Sequence, residues 1–101
     1  MERAIGHLSL IPAGEGRTFA IDGLRIAVFH SRDGAVFATQ ADCPHRGGPL
    51  ADGLTDADSV VCPLHDRVYN LRTGAASVPG CDIRVYPARC DDRGIVLVAS
   101  G

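Results

Sequence analysis

Two short cysteine–histidine pairs stand near the middle of the chain and are the residues best suited to chemistry. Cys43 and His45 form a C-x-H pair, and sixteen residues separate it from the C-x-x-H pair of Cys62 and His65. Two thiolates and two imidazoles suit a tetrahedral zinc ion, or a [2Fe–2S] cluster in which two histidines replace two cysteines on one iron. The sequence therefore predicts a metal centre with these four residues as ligands.

Glycine and proline surround both pairs. Pro44, Gly47, Gly48 and Pro49 flank the first pair, and Pro63 lies inside the second. Glycine adopts positive φ without strain, while proline pre-sets φ and removes a backbone donor. We expect each pair to occupy a tight turn whose two ligand side chains point the same way.

The segment from Cys43 to His65 resembles the Rieske domain, whose pattern is C-x-H, a spacer of about this length, and C-x-x-H. The segments 46–53 and 71–74 resemble the same family. The resemblance implies one [2Fe–2S] cluster, with the two cysteines on one iron and the two histidines on the other. It also implies that the incoming electron localises on the histidine side, near the surface, where a redox partner makes contact.

A narrower resemblance concerns residues 43–50 together with Ile83–Pro87, which are similar to the small subunit of NAD(P)H-dependent nitrite reductases. It implies a large-subunit partner carrying flavin, further iron–sulfur and sirohaem chemistry. One alternative is a free-standing Rieske ferredoxin that carries electrons from a flavin reductase to the terminal oxygenase of a ring-hydroxylating dioxygenase. Another is a zinc-bound interaction module with no redox role. The sequence shows no nucleotide-binding loop or nucleophile–base pair, so we expect electron transfer without catalysis by this chain alone.

The resemblance also concerns residues that tune the potential. Tyr69 matches a tyrosine that donates to a ligand sulfur. High-potential members carry a disulfide at the positions of Gly48 and Leu64, and a serine at the position of Arg67. Since those donors are missing, we expect a potential in the lower part of the Rieske range of about −150 to +300 mV.

Asp66 follows His65 where many members have glycine, and a carboxylate there is expected to lower the potential further. Pro44, Leu64 and Pro79 are predicted either to support the fold or to form an apolar rim that docks the redox partner. Arg46 is predicted either to join that rim by pairing with an acidic group of the partner or to be a solvated surface residue.

Short strands separated by turns predict an all-β sandwich or barrel. The predicted strands are 4–10, 17–21, 24–30, 35–39, 67–71, 82–89 and 95–99, with a hairpin at Asp22-Gly23. Residues 41–80 are richer in glycine and proline, which indicates an inserted cluster-binding subdomain. We therefore predict a single Rieske-type domain over 1–101, with antiparallel base sheets over about 1–40 and 81–101.

The net charge and the composition limit the classes of partner that the chain can bind. The formal net charge of −2 and the lack of a Lys/Arg stripe argue against nucleic acid. The first residues contain no long apolar run, which favours a cytoplasmic protein that does not enter a membrane. Cys81 and Cys90 are expected to be small buried apolar residues, and His7 and His30 to lie at the surface or at strand ends.

Overall fold

The computed structural model describes residues 2–44, 47–63, 67–78 and 80–100, and strands dominate this part of the chain. The strands are β1 (Glu2–His7), β2 (Glu15–Ile21), β3 (Leu24–His30), β4 (Val36–Gln40), β5 (Leu54–Thr55), β6 (Ser59–Val61), β7 (Val68–Asn70), β8 (Val85–Tyr86), β9 (Ala88–Cys90) and β10 (Ile95–Ala99). Two 3₁₀ helices cover Leu8–Leu10 and Leu50–Asp52. In the described ranges no helix is long and apolar enough to cross a membrane.

The strands form three antiparallel sheets, which confirms the predicted all-β fold class. One sheet has the order β1-β10-β9 and a second has the order β2-β3-β4-β8. The third, β5-β6-β7, lies entirely within the predicted cluster-binding segment. The first two sheets combine strands from both ends of the chain. The segment that holds the cysteine pairs is inserted between β4 and β8, which pair with each other in the second sheet.

Strand β3 separates two apolar cores because both of its faces are buried. Ile26 and Val28 point into one core, and Ala27 and Phe29 point into the other. The first, called here the base core, comprises Ile11, Ile21, Ile26, Val28, Ala38, Val96 and Val98. The second, called here the site core, comprises Ala27, Phe29, Phe37, Cys43, Leu50, Ala51, Val60, Cys62, Tyr69, Leu71 and Ile83. The second sheet, which contains β3, therefore anchors the candidate site on the rest of the protein.

The hairpin predicted at Asp22-Gly23 is confirmed. Ile21 pairs with Leu24 across a two-residue loop, and both loop residues have positive φ, 52° for Asp22 and 80° for Gly23. This is the type I′ conformation, whose twist matches that of the flanking strands.

The predicted first strand, 4–10, is too long. Strand β1 ends at His7, where the side chain accepts a hydrogen bond from the Ser9 amide, and a 3₁₀ turn follows. The Leu8 amide bonds to the Gly94 carbonyl, and the chain bends so that Ile11 is 1% exposed in the base core. Burial of Ile11 thus competes successfully with continued strand pairing.

The predicted strand 82–89 is also divided. Pro87, which has no amide hydrogen, separates β8, which pairs with β4, from β9, which pairs with β10. One segment therefore joins the first two sheets instead of extending a single one.

The predicted strand 67–71 is shortened to Val68–Asn70. Val68 is 37% exposed, whereas Leu71 and Tyr69 are buried. Strand alternation explains this, since Tyr69 points into the site core and its neighbour must point away. His7 and His30 lie at the ends of β1 and β3, as predicted.

Candidate metal centre

The loop that presents Cys43 leaves strand β4 and is closed by its own backbone. The Cys43 amide donates to the Gly48 carbonyl at 2.8 Å, and the Gly47 amide donates to the Cys43 carbonyl at 2.7 Å. Gly47 has φ of +70°, a conformation that glycine adopts without strain. Two backbone hydrogen bonds thus hold the first predicted ligand in place.

Polar side chains brace the entry to this loop. Arg25 on β3 contacts both carboxylate oxygens of Asp42 through one guanidinium nitrogen, at 2.9 and 2.8 Å. The Gln40 side-chain amide donates to the Asp42 carbonyl and accepts from the Arg84 amide, both at 2.8 Å. Exposed ion pairs stabilise little, so their main effect here is to fix the direction in which the chain leaves β4.

The loop that presents Cys62 joins β6 to β7. The Cys62 amide donates to the Arg67 carbonyl at 2.8 Å, and β6 and β7 are paired from Ser59 with Asn70 to Val61 with Val68. The second predicted ligand therefore stands at the first residue after a hydrogen-bonded hairpin arm.

Both cysteines lie in the site core. Cys43 is 2% exposed and Cys62 is fully buried, beside apolar side chains that include Leu50 and Val60. Buried thiolates suit an iron–sulfur cluster, since sulfur is a soft ligand and the apolar shell limits access of water. The described part of the site thus fits a [2Fe–2S] cluster bound through two sulfurs.

Tyr69 supplies a polar contact inside this core. Its hydroxyl lies 3.0 Å from the Cys43 sulfur, and its side chain is fully buried. Burial, followed by the contact with Cys43, raises the pKa of Tyr69 above its ordinary value. The hydroxyl therefore keeps its proton at neutral pH and can donate it to a Cys43 thiolate.

Several predicted site residues lie outside the described residues: His45, Arg46, Leu64, His65, Asp66 and Pro79. Their assigned roles stay predictions. Of the predicted docking rim, Pro44 is described, and it is exposed at the first loop. Across the described ranges, no three His, Cys, Asp or Glu side chains group as metal ligands, so the site described above contributes two of the four predicted ligands.

Sequence reasoning missed one contact beside the site. The Arg67 guanidinium lies 3.7 Å from the Cys81 sulfur, across fourteen positions of sequence. Cys81 and Cys90 are both half-buried, so the expectation that they are buried apolar residues is wrong. The approach of a charged group to Cys81 explains its partial exposure, because an arginine retains contact with water.

Comparison with known proteins agrees with this arrangement. Residues 2–98 match the family described as the Rieske [2Fe–2S] domain. The biphenyl dioxygenase ferredoxin subunit of Pseudomonas sp. (strain KKS102) is 37% identical over 90 residues, which cover 86% of this chain and 82% of that protein.

Solved structures show the same similarity over the whole length. One from Mycobacterium tuberculosis, assigned as an NADH-dependent nitrite reductase small subunit, superposes with a TM-score of 0.92 and 25% identity, covering 100% of this chain and 96% of that chain. The ferredoxin of carbazole 1,9a-dioxygenase from Nocardioides aromaticivorans IC177 gives a TM-score of 0.87 and 28% identity, covering 100% and 99%.

The family match spans nearly the whole chain, and the buried cysteine pair suits the cofactor that this family binds. The predicted cofactor, one Rieske-type [2Fe–2S] cluster, is confirmed. The general function of the chain is that of a one-electron carrier. This chain therefore belongs to the Rieske [2Fe–2S] domain family.

Proposed function

We propose that this chain is the small subunit of an NAD(P)H nitrite reductase and carries single electrons through a cluster held by Cys43, His45, Cys62 and His65. The observation that supports the carrier role is the pair of buried cysteines, one of them contacted by the Tyr69 hydroxyl. The resemblance of residues 43–50 and 83–87 supports the nitrite reductase assignment, as does the full-length similarity to the Mycobacterium tuberculosis structure.

The chain itself holds the ligand residues rigidly and keeps water away from them. When bound, the cluster supplies one-electron redox chemistry. The backbone bonds of both loops limit movement of Cys43 and Cys62, so little reorganisation accompanies a change of charge. The site core keeps water away from the sulfurs, which leaves electron exchange to the proposed histidine side.

That side is the proposed docking surface for the partner. Pro44 and Pro63, the residues after the two ligand cysteines, are both exposed. Together with Arg46, Leu64 and Pro79, Pro44 is proposed to form a rim around His45 and His65 that contacts the large subunit. We also propose a cytoplasmic location, where a nitrite reductase that uses NAD(P)H obtains its reductant.

A second candidate is favoured by the 37% identity with the biphenyl dioxygenase ferredoxin subunit. In that case the chain carries electrons from a flavin reductase to a terminal oxygenase. The two candidates share the cluster and differ in the protein that accepts the electron.

The test compares the two acceptors directly. The chain is reduced with dithionite, freed of excess reductant, and mixed with the large nitrite reductase subunit or with a ring-hydroxylating oxygenase component of the same organism. Rapid reoxidation and a complex with the nitrite reductase subunit alone would support the first candidate, and the reverse would replace it with the second. Absorption and EPR spectra recorded before mixing establish the carrier, whereas a colourless, EPR-silent protein with bound zinc would contradict both candidates.

Replacing Tyr69 with phenylalanine is expected to lower the reduction potential while leaving the fold intact. The hydrogen bond to the Cys43 sulfur is stronger when the cluster carries the extra electron, so its loss disfavours the reduced state. If the two states differ by about 1 kcal/mol in this bond, the shift is roughly 40 mV for a one-electron couple.

The measurement is a potentiometric titration followed by EPR, with unchanged far-UV circular dichroism as the check on folding. The matched control is Tyr86→Phe, because Tyr86 lies on β8 in the base part of the fold and packs against the base core. An equal shift of the reduction potential in both variants would show that the Tyr69 hydroxyl does not tune the potential.

A further inference from the structure

We propose that Arg67 sets the reduction potential of this protein upward through its charge, and that Cys81 holds the guanidinium in the position from which it acts. In the resemblance to the Rieske family, Arg67 replaces a serine that donates a hydrogen bond in high-potential members. The contacts assign it a different contribution, a positive charge fixed on the second ligand loop. The inference rests on the proposed ligand set and is independent of which partner receives the electron.

The backbone and the side chain of Arg67 reach two different parts of the site. Its carbonyl accepts the hydrogen bond from the Cys62 amide at 2.8 Å, so the residue is locked to the second ligand loop. Its guanidinium lies 3.7 Å from the Cys81 sulfur, in the segment that returns toward β8. Both residues are half-buried, and the charge is therefore held at the boundary of the site core.

The charge acts on the ligand environment. Tyr69 contacts the Cys43 sulfur at 3.0 Å. Arg67 stands two residues before Tyr69, and its own carbonyl is bonded to the Cys62 amide. The residue that carries the charge is therefore tied to the second ligand loop and precedes the tyrosine that contacts the first ligand sulfur.

The neighbour of the guanidinium determines how much of this field remains. The ion pairs formed by arginine within the described residues involve Arg3, Arg17, Arg25, Arg72, Arg89 and Arg93. Among the described residues, the Arg67 guanidinium instead lies against the Cys81 sulfur and forms no ion pair with a carboxylate. Reduction adds one negative charge to the centre, so a nearby positive charge favours the reduced state and raises the potential.

The test measures the midpoint potential of Arg67→Gln, Arg67→Lys and Arg93→Gln by EPR-monitored titration. Arg93→Gln is the matched control, because it removes the same charge from the exposed turn between β9 and β10. We expect Arg67→Gln to weaken the preference for the reduced state about tenfold, which is 59 mV for a one-electron couple. Arg67→Lys keeps the charge and should shift the midpoint potential by less than half as much. Arg93→Gln should leave the midpoint potential unchanged.

Equal potentials for Arg67→Gln and Arg93→Gln would overturn the proposal. If Arg67→Gln fails to hold the cluster, Cys81→Ala decides, because it keeps the charge and removes the sulfur that positions it. A downward shift in Cys81→Ala with wild-type EPR line shape supports the proposal, and an unchanged potential contradicts it. A wild-type protein that stays EPR-silent after reduction with dithionite would instead contradict the ligand set, so the two failures are distinguishable.

Discussion

Replacing Cys62 with serine is expected to remove almost all bound iron and the visible absorption of the protein. Cys62 is fully buried, and its amide is tied to the Arg67 carbonyl, so a neighbouring residue cannot move in to replace its sulfur. A serine hydroxyl keeps the shape of the side chain but stays protonated at neutral pH and is a poor ligand for iron in a sulfur site. Iron and sulfide assays on the purified variant, beside its absorption spectrum, measure the effect.

The loss of the cluster should also lower the unfolding temperature. A group that binds the folded chain and not the unfolded chain stabilises the fold, and the small site core depends on ligation more than a large core would. Cys90→Ser is the matched control, because Cys90 is half-buried on β9 and takes no part in the site core. Retention of iron by Cys62→Ser at the level of Cys90→Ser would show that Cys62 is not a ligand.

The ligand cysteines could be predicted because metal coordination imposes residue types and spacings that are local in sequence. Cys43 and Cys62 stand at the ends of β-structure with glycine and proline turns around them, and both features are visible in the chain itself. The contact of Tyr69 with Cys43 could be expected only from the family resemblance, since twenty-six positions separate the two residues. The contact between Arg67 and Cys81 follows no pattern of spacing, and only the fold brings them together.

Among the strands, too, some features could be predicted from local sequence and others could not. The hairpin at Asp22-Gly23 could be predicted because a two-residue loop with positive φ is a local property. Side chains along a strand such as β3 alternate between two faces, but the sequence does not show that both faces are buried. The partners of Ala27 and Phe29 come from the cluster-binding segment, whereas those of Ile26 and Val28 come from the ends of the chain. Which face is buried is decided by tertiary packing and not by the strand itself.

Replacing Gly74 with alanine is expected to destabilise the protein by about 3 kcal/mol. Gly74 has φ of +81°, and a Cβ there would come within 3.0 Å of the Ile83 carbonyl oxygen, closer than real Cβ atoms approach. The clash falls on backbone, which cannot swing aside as a flexible side chain would. Gly74 also donates to the Asn70 carbonyl and accepts from the Ile83 amide, both at 2.8 Å, so it joins the end of β7 to the segment that leads into β8.

Gly34→Ala separates the two causes of this effect. Gly34 has a comparable φ of +93°, but a Cβ there meets nothing within 4 Å. Its substitution should therefore cost only the conformational strain, about 1 kcal/mol. Denaturant unfolding of both variants measures the difference, which reports the close approach of Gly74 to Ile83. Because the Asn70 carbonyl that accepts from Gly74 belongs to the residue after Tyr69, Gly74→Ala should also lose iron faster than Gly34→Ala when a chelator is added. Equal unfolding midpoints for the two variants would show that residues 74 and 83 are not in close backbone contact, and that the cluster-binding segment is attached to the base sheets in another way.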